Sequence, residues 1–301
     1  MLGITLNRSA SLSKLRPHEK CDRIKTKFVD RDLSMRPKWQ IAPPAPESHL
    51  ARFPHLSPLI VQLLYNRGIT SPQDVEDFLS GAFSGDNPFR LKGVNEAVTR
   101  LRQAIRQGEP VAIYGDFDAD GVTATALLVE TLSALGARVM PYIPHRVDEG
   151  YGLNCEALRH LASNGIRVVV TVDCGIRSIQ EVQYGNKLGL DLIITDHHSV
   201  GEEVPPALAV INPKQSDCRY PFKDLAGVGV AFKLAQALLR VHRRVPLTKR
   251  EVNLNEEDLL DLVALGTVAD LVPLLGENRT LVKRGLEQPV SYTHLTLPTK
   301  A

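Results

Sequence analysis

The sequence has little cysteine and no long apolar run, and these absences exclude several classes of protein. Only four of its 301 residues are cysteine, and no two of them form a Cys-x-x-Cys pair. This argues against a zinc ribbon or a disulfide scaffold and suits the reducing cytoplasm. No segment approaches the ~20 consecutive apolar residues of a membrane span, so no membrane partner is expected.

The composition is that of a globular protein, with 43% hydrophobic and 23% charged residues. The net charge of +2 hides an asymmetry along the chain. Residues 1–38 hold ten Lys/Arg against four Asp/Glu, and the remainder holds 26 against 30. The overall charge therefore does not argue for nucleic-acid binding, and any such case depends on the site.

Four segments are predicted from the change of pattern along the chain. Residues 1–38 form a basic leader that we expect to be disordered, and residues 39–93 form a short helical segment. Ser71 and Pro72 give a helix start signal within that segment. Residues 94–288 form an α/β catalytic domain, whereas residues 289–301 continue no pattern and look like a non-native tail.

An alternation of short apolar strands with amphipathic helices begins after Gly108. Strands are predicted at 111–114, 139–143, 168–172, 192–195 and 209–211. Helices are predicted at 94–107, 122–135, 155–163, 178–188, 231–241 and 256–268. The strands are apolar on both faces and rich in Val and Ile, which is typical of a parallel sheet flanked by helices.

Carboxylates follow three of these strands, at the end where ligands bind in open parallel sheets. The acidic residues and adjacent histidines are Asp116, Asp118, Asp120, Asp173, Asp196, His197, His198 and, further along, Asp270. A single Asp before Gly needs no function, but the combination concentrates negative charge that cations would neutralise. An EF-hand loop is excluded because Leu127 stands where its glutamate belongs. An aspartyl-phosphate phosphatase remains a minor alternative.

Four motifs in order resemble those of the DHH phosphoesterase superfamily. They are residues 116–121 (DFDADG), 172–175 (VDCG), 196–198 (DHH) and 266–273 (GTVADLVP). Three flanking segments, 144–153, 211–214 and 225–233, are similar to a branch of single-stranded-DNA exonucleases within it. The resemblance covers about residues 39–288.

The resemblance implies two divalent metal ions, Mn²⁺ or Mg²⁺, bound at this edge. The metal-binding positions it implies are Asp116, Asp118, Asp120, Asp173, His197 and Asp270. Asp173 would bridge both ions and so take part in catalysis. His198 would donate a proton or polarise the phosphoryl oxygen, or else orient Asp196, and Asp196 would hold a histidine tautomer.

Four further residues are candidates for substrate binding. His145 and Arg146 follow the second strand in the same rim of loops, and arginine suits bidentate contact with phosphate. A surface ion pair with a neighbouring acid is the alternative for Arg146. Gly227 and Gly229 would let the backbone approach a substrate strand, or serve tight turns.

The function implied is metal-dependent 5′→3′ hydrolysis of single-stranded DNA in recombination and repair, by two-metal water activation. The alternatives are a nano-RNA or cyclic-dinucleotide phosphodiesterase, a pyrophosphatase, or a non-catalytic scaffold. The expected partners are single-stranded DNA and a single-strand-binding protein or helicase, in the cytoplasm. Because the resemblance stops near Gln288, this chain alone is expected to be weakly active and poorly processive.

Overall fold

The computed structural model describes residues 41–80, 85–145, 150, 152–248 and 251–287. The chain divides into two compact units, of which the first ends at Gly68 and the second begins at Ile69. The predicted leader and tail lie outside the described residues. Within the described part of the chain, no helix has both the length and the apolar character needed to cross a membrane.

Two short helices, α1 (Glu47–Leu50) and α2 (Pro58–Asn66), lie in the described part of the first unit. A third, α3 (Pro72–Ser80), opens the second unit. Ser71 caps α3 as predicted, because its Oγ accepts the backbone N–H of Asp74 at 3.0 Å. The shortest of the three helices, α1, is a single turn.

A five-stranded sheet forms the centre of the second unit. Its strands are β1 (Pro110–Gly115), β2 (Arg138–Tyr142), β3 (Val168–Val172), β4 (Asp191–Thr195) and β5 (Ala209–Ile211). They lie in the order β2-β1-β3-β4-β5, and every neighbouring pair is parallel. The predicted parallel sheet is confirmed, with each strand within one residue of its expected bounds.

Helices cover both faces of the sheet. They are α4 (Val94–Gln107), α5 (Ala119–Ala134), α6 (Cys155–Ser163), α7 (Ile179–Lys187), α8 (Gly227–Arg244), α9 (Leu260–Ala269) and α10 (Gly276–Glu287). Val111 and Ile113 of β1 pack with α4, α5 and α8, whereas Ala112 and Tyr114 pack with α6 and α7. Helices α9 and α10 pack against each other, and α9 also contacts α5 and α8.

Strand β2 differs from the prediction because it is not buried on both faces. Arg138, Met140 and Pro141 are exposed. The strand pairs with β1 alone and therefore forms an edge of the sheet. An edge tolerates Pro141, which has no N–H to donate to a neighbouring strand.

Two helices begin earlier than predicted, and both starts depend on carboxylates of the candidate site. Helix α5 begins at Ala119 because the Asp118 side chain accepts the N–H of Gly121 at 2.9 Å. Helix α8 begins at Gly227 rather than at residue 231, since its first N–H groups donate to Asp120, 107 residues earlier. Helix α10 was not predicted.

Candidate metal centre

Three neighbouring strands each end in a buried aspartate. Asp116 follows β1, Asp173 follows β3 and Asp196 follows β4. Because β1, β3 and β4 are adjacent and parallel, their carboxyl ends meet at one edge of the sheet. The strand order therefore brings together carboxylates that lie up to 80 residues apart in the sequence.

The N-terminus of α5 brings a fourth and a fifth carboxylate to the same edge. Asp118 caps α5, and Asp120 lies buried in its first turn. Asp120 Oδ2 accepts the N–H of Gly227 at 2.6 Å, and its Oδ1 accepts the N–H of Val228 at 2.8 Å. The N-terminus of α8, where the helix dipole favours negative charge, thus fixes the Asp120 carboxylate.

The candidate ligands form three overlapping groups, within each of which the ligand atoms lie within 4.8 Å of one another. The groups are Asp116, Asp118 and Asp173; Asp120, His197 and Asp270; and Asp173, His197 and His198. Asp173 and His197 each belong to two groups. All six sequence-predicted metal positions lie in these groups, and Asp173 occupies a position from which one carboxylate could contact two ions.

Buried ligand atoms in these groups lack hydrogen bonds. His197 Nε2 lies 3.1 Å from Asp173 Oδ1 and 3.6 Å from Asp270 Oδ2. None of these three atoms has a hydrogen-bond partner of good geometry among the described residues. Unsatisfied buried polar atoms are unfavourable. Oxygen and imidazole donors directed at one point fit a divalent cation such as Mn²⁺ or Mg²⁺.

The carboxylates also raise each other's pKa values. Burial, and then the charge of Asp118, raise the pKa of Asp173 to about 8. Burial, and then the charge of Asp173, raise the pKa of Asp120 to about 7. Burial is also the main cause that raises the pKa of Asp270. A metal-free centre therefore holds protons near neutral pH, and a divalent cation would displace them.

Asp173 is held in an unusual backbone conformation. Its φ of 59° lies in the left-handed region, which Asp and Asn tolerate better than most residues. Its N–H donates to the carbonyl of Thr195 at 3.0 Å. On the other side, a Cβ at Gly227 would lie only 2.6 Å from Asp173 Oδ1. The position of the central carboxylate thus requires glycine at 227.

Asp196 orients His198. Its Oδ1 accepts His198 Nδ1 at 2.8 Å and the N–H of His197 at 2.7 Å, and its Oδ2 accepts the N–H of Ile176 at 2.9 Å. Burial alone would raise the pKa of Asp196, but these bonds, led by that from His198, hold it below its usual value. The bond to Asp196 raises the pKa of His198 to about 9. His198 is therefore an imidazolium at neutral pH, with its side chain 46% exposed on the open side of the centre.

His197 has the opposite character. Burial is the main cause that lowers its pKa, so the ring is neutral near pH 7. A neutral imidazole is the form that binds metal. The two adjacent histidines thus have different protonation states because one is buried and the other is half exposed and paired with a carboxylate.

The Asp196–His198 bond predicts the effect of Asp196→Asn. The substitution removes the negative charge and keeps one acceptor oxygen for the backbone N–H groups of His197 and His198, while the amide NH2 replaces the oxygen that faces Ile176. We expect the pKa of His198 in the metal-free protein to fall from about 9 toward the unperturbed value near 6.5. Imidazole chemical shifts in an NMR titration measure this, with Asp261→Asn, a substitution in α9, as control. An unchanged His198 titration would contradict the assigned role of Asp196.

The predicted substrate residues have different outcomes. His145 is exposed in the loop after β2, and Arg146 lies outside the described residues. Gly227 and Gly229 are both buried in the first turn of α8. Gly227 makes room for Asp173, and a Cβ at Gly229 would meet Leu225 at 3.2 Å. Both glycines therefore serve packing.

A cavity of about 530 Å³ next to His198 was not predicted. Leu153 and Ile176 contribute apolar surface, and Arg177, Ser178 and Ser199 contribute polar groups. Arg177 is exposed, and its Nε donates to the carbonyl of Ser199 at 3.0 Å. The sequence signal available was position, since Ile176, Arg177 and Ser178 directly follow the VDCG motif at the end of β3.

Comparisons with known proteins agree with this architecture. A profile of the DHH family, N-terminal domain, matches residues 110–267. The chain is 45% identical over 259 residues to the single-stranded-DNA-specific exonuclease RecJ of Bacillus subtilis, covering 85% of this chain and 31% of that protein.

Two solved structures of RecJ from Thermus thermophilus share the fold. The complex with Mn²⁺ has a TM-score of 0.67 at 33% identity and covers 85% of this chain and 35% of that one. The complex with Mg²⁺ has a TM-score of 0.57 at 30% identity and covers 85% and 32%. The chain thus spans about a third of the length of these relatives. The family profile covers the sheet, helices α5 to α8 and most of α9, and the chain belongs to the DHH family.

Proposed function

We propose that this chain is the catalytic part of a metal-dependent exonuclease that hydrolyses single-stranded DNA in the 5′→3′ direction. The observation that carries the proposal is the set of three overlapping ligand groups at one edge of the sheet. The RecJ relative of Bacillus subtilis is named a single-stranded-DNA-specific exonuclease, and RecJ of Thermus thermophilus has been solved with Mn²⁺ and with Mg²⁺. A non-catalytic scaffold would not need six ligands intact.

The residues that would hold two divalent ions are those of the ligand groups. Asp116, Asp118 and Asp173 form one group, and Asp120, His197 and Asp270 form another. When bound, divalent ions lower the pKa of a water molecule and offset the negative charge of a phosphodiester in the transition state. The chain's part is to fix the donors, which the N-terminus of α8 does for Asp120.

His198 supplies a proton and a positive charge on the open side of the centre. Its Nδ1 is engaged with Asp196, which leaves Nε2 to donate toward a phosphoryl oxygen or the departing 3′-oxygen. In the metal-free chain the bond to Asp196 raises the pKa of His198 to about 9. Asp196 maintains the orientation of the ring because three other hydrogen bonds hold its carboxylate in place.

The cavity beside His198 would hold the terminal nucleotide. Its volume of about 530 Å³ is within the range of small-molecule sites. Leu153 and Ile176 offer apolar surface to a base, while the guanidinium of Arg177 and the hydroxyl of Ser178 suit a phosphate or sugar.

Arg177→Ala tests the cavity. We expect a rise in KM for single-stranded DNA of roughly tenfold with little change in kcat, because a phosphate contact made in both ground and transition states is lost. Steady-state kinetics on oligonucleotides measure this. Arg167→Ala is the matched control, since Arg167 is also exposed but precedes β3 at the opposite edge of the sheet. An unchanged KM for Arg177→Ala would place the strand elsewhere.

The function itself is tested by digestion of single-stranded DNA labelled at either end, with Mn²⁺, with Mg²⁺ and with chelator. We expect metal-dependent release of mononucleotides from the 5′ end, abolished by Asp173→Asn. Turnover of dinucleotides or pyrophosphate without cleavage of DNA would replace the proposal with a small-substrate phosphodiesterase of the same centre.

Further proposals follow from the substrate. Helicases expose single-stranded DNA and single-strand-binding proteins cover it, so either is a natural partner, and the site of action would be the cytoplasm.

A further inference from the structure

A second cluster of buried polar side chains lies outside the metal centre, between α8 and α10. Tyr220, Lys233, Glu277 and Asn278 are each at most 1% exposed. Lys233 of α8 forms an ion pair with Glu277 of α10. The hydroxyl of Tyr220 donates to the other oxygen of Glu277 at 2.6 Å. The cluster thus connects two helices through charges removed from water.

Stability alone does not account for such a cluster. Desolvation of two charges costs several kcal/mol, and well-packed apolar residues often replace a buried ion pair without loss of stability. Buried polar groups can instead select one arrangement of their elements over others. The buried cluster would then select one position of α10 relative to α8.

Asn278 connects the two segments that hold Asp120 and Asp270. Its Nδ2 donates to the carbonyl of Pro273 at 3.1 Å and to the carbonyl of Asp224 at 2.5 Å. Pro273 lies three residues after Asp270, in the connection between α9 and α10. Asp224 lies three residues before Gly227, whose N–H binds Asp120. The buried side-chain amide of Asn278 thus bonds two backbone segments. One follows Asp270, and the other leads to Gly227, which binds Asp120.

The connection after Asp270 is largely exposed, and within it Val272 packs against the core. Leu271 has a φ of 60°, which is unfavourable for leucine, and its side chain is 87% exposed. Asp270 itself is partly exposed. Its position therefore depends on the elements at either end, which are α9 and the first turn of α10. Glu277 and Asn278 hold that first turn.

We propose that Asn278, supported by Lys233, Glu277 and Tyr220, is a positioning residue that fixes Asp270 relative to Asp120. It thereby sets the affinity of the group Asp120, His197 and Asp270 for a divalent cation. The inference rests on the proposed function only in requiring that this group bind metal. These four buried polar residues would act on the ion only indirectly, through the position of the ligands that touch it.

The experiment is a Mn²⁺ titration of the chain followed by electron paramagnetic resonance, with Asn278→Leu. We expect one class of bound Mn²⁺ to weaken 10- to 100-fold, which is the usual effect of losing an outer hydrogen bond, and the other class to stay within twofold. Two reference variants show how Mn²⁺ binding changes when one ligand group is weakened: Asp270→Asn for the group with Asp120 and His197, and Asp116→Asn for the group with Asp118 and Asp173. Asn278→Leu should resemble Asp270→Asn.

Leu101→Ala controls for a general loss of stability, because Leu101 is fully buried in α4. It should lower the Tm without changing either Mn²⁺ class. If Asn278→Leu lowers the Tm but binds both Mn²⁺ equivalents like wild type, the residue is structural only and the proposal is overturned.

If Asn278→Leu does not fold, the wild-type chain supplies the test. Binding of Mn²⁺ should slow hydrogen exchange of the amides at 271–280 and in the first turn of α8 together, and no slowing at 271–280 overturns the proposal. Failure of DNA hydrolysis with Mn²⁺ binding intact would instead refute only the nuclease. A wild-type chain that binds no Mn²⁺ would refute both.

Discussion

Asp173→Asn is expected to abolish DNA hydrolysis and, in the metal-free protein, to raise the Tm. Asp173 is the carboxylate shared by two ligand groups, so its loss affects both. Metal ions contribute several kcal/mol of charge stabilisation, so the loss in rate is about 10³-fold or more. Asparagine suits the test because it is isosteric and tolerates the φ of 59° at this position.

The gain in stability follows from the direction of the pKa shift. The pKa of Asp173 is raised from its usual value to about 8 in the folded chain. Ionisation of this group therefore opposes folding. The penalty is absent below pH ~4, where the group is protonated in both states, grows as pH rises toward 8, and then stays constant. Asparagine removes a penalty of roughly 2–5 kcal/mol at pH 8, or a Tm rise of about 5 °C or more.

Thermal unfolding in chelator at pH 5 and pH 8 measures this effect, and Asp217→Asn is the control. Asp217 is exposed, pairs with Lys92 and belongs to none of the three ligand groups. The control should change neither activity nor the Tm by more than a small amount. Excess Mn²⁺ should reverse the order, making wild type the more stable protein. A metal-free Asp173→Asn chain that is less stable than wild type at pH 8 would contradict the charge-crowding explanation.

The fold was largely predictable because its central strands carry a strong signal. Strands β3 and β5 matched their predicted bounds, since Val168–Val172 and Ala209–Ile211 are apolar on both faces. The sheet order then placed the carboxylates at one edge. The least accurate predictions were the first residues of helices. The free N–H groups at a helix start can bond a side chain that is distant in sequence, and such a partner leaves no local pattern. The N–H groups of Gly227 and Val228 donate to Asp120, and no local pattern shows this.

The sequence indicated which residues gather at the site but not how they are supported. Aspartates after strands, and adjacent histidines, are visible as motifs. By contrast, Lys233 and Glu277 are charged residues that a sequence pattern places at the surface, yet both are almost fully buried. Helix α10 was missed for the same reason, since Glu277, Asn278 and Thr280 on its buried face obscure the apolar period. Lys233, which pairs with Glu277, and Asp224, which accepts a bond from Asn278, each lie more than forty residues away from these partners.

Gly227→Ala is expected to cost at least about 100-fold in activity, although it adds a single methyl group. The new Cβ would lie 2.6 Å from Oδ1 and 2.8 Å from Cγ of Asp173. Either the carboxylate or the start of α8 must move, and a move of α8 also disturbs the 2.6 Å bond from Gly227 to Asp120. Displacing catalytic groups by about 1 Å can cost 10²-fold in rate. Overpacking should destabilise the fold by only about 1–3 kcal/mol.

Nuclease kinetics and Mn²⁺ titration of the folded variant separate these effects, with Gly201→Ala as the matched control. Gly201 is exposed, and the nearest atom to its added Cβ is the carbonyl of Glu203 at 3.6 Å. The control should keep wild-type activity and Mn²⁺ affinity. For Gly227→Ala we expect weakened binding of both equivalents, because Asp173 and Asp120 belong to different ligand groups and the methyl group disturbs both. Wild-type Mn²⁺ affinity in this variant would mean that α8 can shift freely, and the close approach of Gly227 to Asp173 would then have no role in holding the metal centre.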